Sequence, residues 1–123
     1  MSHLLVVDDD EQFRGYVVAM LRKRGYTVTE ASNGRRALRI LETTKVDIII
    51  TDIVMPDMEG LEAIRHFRVM APDSKIVAMS GGGSGDVDYL HFAAEFGAVA
   101  TLNKPFTPTE IVDIVSRLVP EKA

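Results

Sequence analysis

Apolar residues occur along the chain in two alternating patterns, short continuous runs and longer stretches with helical spacing. Five short runs are typical of strands: His3–Val7, Tyr26–Ala31, Val46–Thr51, Lys75–Ser80 and Ala98–Asn103. Between the runs, apolar residues recur three or four positions apart, as Phe13, Val17 and Leu21 do in the first such stretch. The alternation predicts five consecutive strand–helix units.

The five runs differ in composition, and the difference predicts their order in a sheet. Alternating strands and helices imply a parallel sheet with helices on both faces. The first, third and fourth runs are continuously apolar (LLVV, DIII and KIVAM), which suits strands buried on both faces. The second run alternates and the fifth is mixed, so both suit the edges. We therefore predict an α/β fold, a flavodoxin-like doubly wound (βα)5 domain whose five-stranded parallel sheet has the order 2-1-3-4-5.

Length and composition agree with one domain that spans residues 1–123. The chain is 46% hydrophobic and 26% charged, which is ordinary for a soluble globular protein. It has no cysteine, which excludes disulfides and zinc–thiolate sites and suits the cytoplasm. A net charge of −4 argues against direct nucleic-acid binding. No stretch approaches the roughly 18 apolar residues of a membrane span, so we expect a cytoplasmic domain without membrane insertion.

Acidic residues gather where two central strands are predicted to end. Asp8, Asp9 and Asp10 follow the first run, and Asp52 follows the third. These strands are neighbours in the predicted order, so at least three carboxylates would crowd one crevice. A divalent cation relieves such repulsion, and hard oxygen ligands suit Mg²⁺. Of the three consecutive aspartates, Asp10 is the best candidate for the N-cap of the following helix.

A hydroxyl and a cation join the acids at the same predicted edge. Ser80 ends the fourth run, and Lys104 follows the fifth. Lys104 could simply be a counter-ion for the acids, and Pro105 could simply fix a turn. Together with Asp52, however, the set offers a carboxylate nucleophile, a metal site, a hydrogen-bond donor and a positive charge. A phosphoryl group needs these components.

Three motifs extend this pattern over nearly the whole chain: LLVVDDD, DIIITDIVMPDMEG and GAVATLNKPF. In this order and spacing, the sequence resembles the receiver domain of bacterial two-component response regulators, of the single-domain, chemotaxis-regulator-like type. The resemblance implies that Asp52 accepts a phosphoryl group from a histidine kinase or a histidine phosphotransfer protein, with Mg²⁺ as cofactor. It implies a regulatory phosphoacceptor rather than an enzyme, one that catalyses its own phosphorylation from phosphodonors and slowly reverses it.

The resemblance also assigns roles to individual residues. The Mg²⁺ ligands would be three carboxylates and one carbonyl oxygen: Asp8, Asp9, Asp52 and the backbone carbonyl of Val54. Lys104 would pair with the phosphoryl group, and Ser80 would donate a hydrogen bond to it. Pro105 would follow a cis peptide bond.

The glycine-rich stretch MSGGGSGD joins Ser80 to the fourth helix. It does not match a nucleotide-binding motif, since it lacks the Gly-Lys-Ser/Thr ending and the G-x-G-x-x-G spacing. Gly81, Gly82 and Gly83 would instead let the backbone approach a phosphoryl oxygen and rearrange at low cost. Many receivers carry Tyr or Phe three residues before the fifth-strand lysine, where this chain has Thr101. We therefore expect this loop to carry more of the switching, and the face of the fourth helix, fifth strand and fifth helix to meet partners.

Several alternatives remain open at this stage. The chain ends soon after the fifth predicted helix, which favours a stand-alone receiver, a monomer or weak dimer, that acts on an unspecified target or relays phosphoryl groups onward. The alternative is a receiver excised from a hybrid kinase or a DNA-binding regulator. A haloacid-dehalogenase-like phosphatase needs a second acid two residues after the nucleophile, where Val54 stands. A flavodoxin-like cofactor binder would need a phosphate loop where the three aspartates lie.

Overall fold

The computed structural model describes residues 2–53, 60–81 and 93–119, with the backbone alone for residues 60 and 61. Five strands lie in these ranges: β1 (His3–Val7), β2 (Thr27–Ala31), β3 (Ile48–Asp52), β4 (Lys75–Ser80) and β5 (Ala98–Asn103). The helices are α1 (Glu11–Lys23), α2 (Gly34–Thr43), α3 (Gly60–Met70), α4 (helical residues 93–96) and α5 (Pro108–Leu118). None of the helices in the described ranges is long and apolar enough to cross a membrane.

All five strands are parallel, and their order is β2-β1-β3-β4-β5. The predicted fold class and strand order are therefore confirmed. All five residues of β3 are buried, whereas buried and more exposed positions are mixed along β2 and β5. These two strands lie at the edges, as their composition indicated. β2 begins at Thr27, one residue later than the sequence pattern predicted.

The third strand differs from its predicted bounds at both ends. It begins at Ile48 rather than Val46, and it includes Asp52 rather than ending at Thr51. The reason is pairing with β4, which extends to Asp52 opposite Met79. The next backbone N–H, of residue 53, donates to the carbonyl of Met79 at 3.0 Å. Asp52 is thus held in place by the sheet.

The sheet separates two hydrophobic layers. Successive residues of the central strands point to opposite faces, so Leu5 and Ile49 belong to the layer under α2 and α3. Leu4 and Ile50 belong to the layer under α1 and α5. Each of these side chains is fully buried, which stabilises the fold by roughly 1.5–3 kcal/mol per residue. The central strands are therefore anchored from both sides and can present charged residues at their ends.

The turn from α4 into β5 requires a glycine. Gly97 has a φ of +128°, and an added Cβ would lie 2.8 Å from Cδ and 2.9 Å from Cγ of Arg68. The Arg68 guanidinium continues past this turn and donates to the carbonyl of Pro72 at 3.4 Å. One turn earlier on α3, the Arg65 guanidinium lies 5.8 Å from the ring centroid of Phe96. The side chains of two arginines of α3 thus pack against the turn that leads into β5.

Alanine substitutions at three glycines should change the free energy of unfolding by different amounts, in an order set by the local backbone geometry. Gly97→Ala has a φ of +128°, a conformation that residues with a Cβ rarely adopt, and it must also displace the flexible Arg68 side chain, so it should lower the free energy of unfolding by about 2–3 kcal/mol. Gly25→Ala has a φ of +94° but open space around the Cβ, so its cost should be about 1–2 kcal/mol. Gly15→Ala in the exposed middle of α1 should stabilise by about 0.5–1 kcal/mol. Urea unfolding measures the order, and a Gly97→Ala variant as stable as Gly15→Ala would contradict this geometry.

Candidate functional site

Four neighbouring strands end at one edge of the sheet in residues with charged or hydroxyl side chains. Asp8 follows β1 and Asp52 ends β3; Ser80 ends β4 and Lys104 follows β5. Because the carboxyl ends of parallel strands lie at the same edge, the strand order brings these residues together. The structure thus places the predicted acids, hydroxyl and cation at one edge.

The acidic side of this edge consists of Asp8, Asp9 and Asp52, which offer carboxylate oxygens within 4.8 Å of one another. Asp8 and Asp52 are buried, whereas Asp9 is exposed. Oδ1 of Asp8 accepts the backbone N–H of Asp10 at 2.9 Å, and its Oδ2 accepts from the Lys104 ammonium at 2.7 Å. Both oxygens of the most buried carboxylate therefore have partners within the protein.

Asp10 has a separate role from the two aspartates before it. Its Oδ1 accepts the backbone N–H of Phe13 at 3.1 Å, which caps the N-terminus of α1. The predicted N-cap is confirmed. The run of three aspartates is thus divided between the acidic group and the start of the helix.

Lys104 is the counter-ion of both buried acids. Its Nζ lies 2.7 Å from Oδ2 of Asp8 and 3.1 Å from Oδ2 of Asp52, and its side chain is only 16% exposed. Burial by itself lowers the pKa of Lys104, but the hydrogen bond to Asp8 and the charges of Asp52 and Asp8 outweigh it. The pKa therefore lies above the usual lysine value, and the ammonium is retained at neutral pH. The peptide bond between Lys104 and Pro105 is cis, as expected.

Ser80 has a buried hydroxyl without a partner. Within the described ranges, its Oγ is the one buried side-chain polar atom that makes no hydrogen bond. Its backbone carbonyl is used, since it accepts the N–H of Lys104 at 2.7 Å. Leaving a buried polar group unsatisfied costs about 1–3 kcal/mol. The hydroxyl therefore suits a ligand that accepts a hydrogen bond at this edge.

The acidic group fits a divalent cation. In the described part of the pocket, three carboxylates lie together with one ammonium, which contacts two of them, so negative charge exceeds positive charge by two. Carboxylate oxygens are hard ligands, and the exposed position of Asp9 leaves a side on which Mg²⁺ can keep waters. Val54, whose carbonyl is a predicted further ligand, lies outside the described residues.

The predicted switch residues are described only in part. Gly81 directly follows β4 and is exposed. Thr101 is an exposed residue of β5, paired in register with Ala78 of β4. Gly82 and Gly83 lie outside the described residues.

Sequence reasoning missed two neighbours of the pocket, both on α1. The ring centroid of Phe13 lies 4.4 Å from Nζ of Lys104. The guanidinium of Arg14 donates to the backbone carbonyl of Asp8 and to Glu30, both at 2.8 Å. Helical spacing marked Phe13 as a core residue only. Its position three residues after the predicted N-cap was the signal that could have placed it beside the acids.

Comparison with known proteins gives one consistent result. The model of the response regulator receiver domain family matches residues 4–116. The chain is 30% identical to sporulation initiation phosphotransferase F of Bacillus subtilis, over 98% of this chain and 95% of that protein. It is 34% identical to chemotaxis protein CheY of Thermotoga maritima, over 95% of this chain and 97% of that protein.

A solved structure agrees with this result. Response regulator protein TrrA of Thermotoga maritima, determined in complex with Mg²⁺-BeF, superposes with a TM-score of 0.83 at 30% sequence identity. The match covers 97% of this chain and 100% of that chain. Sequence and fold therefore agree on one family.

A divalent cation should stabilise the chain through the acidic group. At a hundredfold excess over its Kd, Mg²⁺ should raise the free energy of unfolding by about 2.7 kcal/mol. Asp9→Asn should reduce this gain because it removes one ligand charge. Asp10→Asn should preserve it because asparagine caps a helix as well as aspartate does. Denaturant unfolding with and without Mg²⁺ measures the gains, and equal gains in the two variants would contradict a site that includes Asp9.

Proposed function

The chain belongs to the response regulator receiver domain family, and on that premise we propose that Asp52 accepts a phosphoryl group from the phosphohistidine of a histidine kinase or a histidine phosphotransfer protein. The observation that supports this most directly is the surroundings of Asp52. It is a buried carboxylate that contacts an ammonium at 3.1 Å, and the neighbouring strand ends in a buried hydroxyl that has no hydrogen-bond partner among the described residues. Such a set suits the stabilisation of phosphoryl oxygens, because an ammonium and a hydroxyl donor lie beside the nucleophilic carboxylate.

In the transfer, an oxygen of the Asp52 carboxylate forms a bond to phosphorus. The bond between phosphorus and the donor's imidazole nitrogen breaks, and its electron pair returns to that nitrogen. Lys104 would move its ion pair from Asp52 to a phosphoryl oxygen, and Oγ of Ser80 would donate a hydrogen bond to another. Catalysis of this kind is mostly positioning and charge stabilisation, and the position of these residues at strand ends supports such a role.

Asp8, Asp9 and Asp52 would hold the Mg²⁺ ion, with the carbonyl of Val54 as a further ligand. When bound, the cation neutralises the charge that phosphoryl transfer concentrates on oxygen. Asp8 is kept in place for this role by the N–H of Asp10 on one oxygen. Its other oxygen is shared with Lys104, so binding of a cation would change the contacts of the ammonium.

Output is proposed to pass through the loop after β4 and the α4–β5–α5 face. A hydrogen bond formed by Ser80 would pull on the chain at Gly81, the point where the glycine-rich loop begins. With Thr101 at the usual aromatic position, that loop would carry more of the switch. The donor and target proteins, onward relay, a monomeric or weakly dimeric state and a cytoplasmic location remain predictions, as does a place within a longer kinase or regulator.

Phosphorylation should occur at one site and depend on Asp52. Incubation with a small phosphodonor and Mg²⁺ should add one phosphoryl group, seen by intact mass measurement, and Asp52→Asn should abolish it. Asp47→Asn is the matched control because Asp47 lies just before the opposite end of β3, where it accepts a hydrogen bond from the backbone N–H of His3. The control should be phosphorylated normally. An adduct that persists in Asp52→Asn, or its absence from the wild type with every donor tried, would contradict the proposal.

A further inference from the structure

One contact of the Lys104 ammonium is not with a carboxylate. Its Nζ lies over the ring of Phe13, 4.4 Å from the centroid. The negative face of an aromatic ring attracts a cation, and the attraction is stronger where water is excluded. The Lys104 side chain is 16% exposed, so water screens this contact only partly.

Phe13 is itself held in place at two points, its backbone and its ring. Its backbone N–H is fixed by the capping carboxylate of Asp10 at 3.1 Å. Its ring meets that of Phe106 edge to face, with centroids 5.4 Å apart and planes at 79°. Phe106 is 6% exposed and lies two residues after Lys104. The ammonium therefore rests on a ring whose position is set by the helix cap and by the chain that carries the lysine.

We propose that Phe13 is a positioning residue for Lys104, and that its ring keeps the ammonium at the phosphoryl site when the carboxylate partners of the lysine change. The inference rests on the function proposed above and names a residue that the function did not require. Both carboxylates that hold the ammonium, Asp8 and Asp52, are also the proposed metal ligands. A divalent cation competes with the ammonium for these oxygens, whereas the ring binds only the ammonium.

The lysine side chain is flexible, so its ammonium stays at one place only if several contacts hold it there. Its ammonium sits on a four-carbon stem with many rotamers, and holding one of them costs entropy. The ion pairs with Asp8 and Asp52 restrict the stem in the structure described here. Once a cation engages those oxygens, the contact with the ring remains and still favours the same rotamer. A role in packing alone would predict a loss of stability and no change in the behaviour of Lys104.

The contact can be measured in the metal-free protein without any phosphorylation. Methylene protons of Lys104 next to the ammonium should resonate upfield of ordinary lysine values because they lie near the face of a ring. Their signals are assigned by their loss in Lys104→Arg. Phe13→Leu should return them to ordinary values, and Phe13→Tyr should keep the upfield shift. Tyr16→Leu, which removes a 48% exposed aromatic from the same helix, should leave the shift unchanged.

The positioning role is measured with beryllofluoride, a phosphoryl mimic, in the presence of Mg²⁺. Phe13→Leu should weaken the apparent affinity by about five- to thirtyfold, the range expected from loss of a partly desolvated cation–π contact. Phe13→Tyr should restore affinity to near the wild-type value, and Tyr16→Leu should retain it. Amide spectra of each free variant establish that it is folded.

The outcomes separate this inference from the proposed function. Ordinary Lys104 shifts in the wild type, or wild-type affinity in a folded Phe13→Leu variant, would overturn the positioning role of Phe13. If Phe13→Tyr fails to restore affinity while remaining folded, the ring is not what matters, and the inference is wrong. A wild type that binds no beryllofluoride would contradict the proposed function instead, and the Lys104 shifts alone would then decide whether Phe13 holds the ammonium.

Discussion

Two buried carboxylates at the ends of adjacent strands impose the constraint on which the rest of this structure depends. Asp8 and Asp52 lie at the carboxyl ends of β1 and β3, in the centre of the sheet. At an effective dielectric constant of 20, like charges 4 Å apart repel by roughly 4 kcal/mol, a large part of the stability of an ordinary domain. Lys104 offsets this repulsion by contacting both acids. Because all five strands are parallel, the end of β5, and with it Lys104, lies at the same edge as the two acids.

The described pocket has an excess of negative charge and an unsatisfied polar atom, and neither feature stabilises the fold. One ammonium lies beside three carboxylates of the described pocket, and the buried hydroxyl of Ser80 has no hydrogen-bond partner within the described ranges. A pocket optimised for folding would balance its charge and satisfy its polar atoms. A divalent cation and a phosphoryl group would supply the missing charge and the missing acceptor. The family consists of regulatory phosphoacceptor domains rather than enzymes, which argues against the phosphatase alternative.

The sequence predicted most of the fold because its signals are local and periodic. Continuously apolar runs placed β1, β3 and β4 in the centre, and the rule that ligands bind at the carboxyl ends of parallel strands gathered Asp8, Asp52 and Lys104 at one edge. The end of β3 was misplaced because its last pair depends on β4, which a local pattern cannot show. The roles of individual residues came from family resemblance.

One contact between distant segments, that of Phe13 with Lys104, was beyond sequence reasoning. The cap formed by Asp10 was predictable from its position before a helix. That this cap would set the Phe13 ring against Lys104 was not, because the contact joins α1 to the residue after β5 and depends on how α1 packs on the sheet. Val54, Gly82 and Gly83 lie outside the described residues, so their roles stay predictions from the sequence.

The central claim is that this edge of the sheet is arranged for a phosphoryl ligand at the expense of stability. The most direct measurement is the Ser80→Ala variant, with its free energy of unfolding and its rate of phosphorylation by a small phosphodonor determined side by side. Stability should stay equal or rise by up to about 1–3 kcal/mol, since the substitution removes a buried hydroxyl that has no partner in the described part of the chain. Phosphorylation should become slower, since the hydrogen-bond donor to the phosphoryl group is lost. A destabilised variant that is phosphorylated at the wild-type rate would show that Ser80 serves the fold, and would contradict a role at the phosphoryl site.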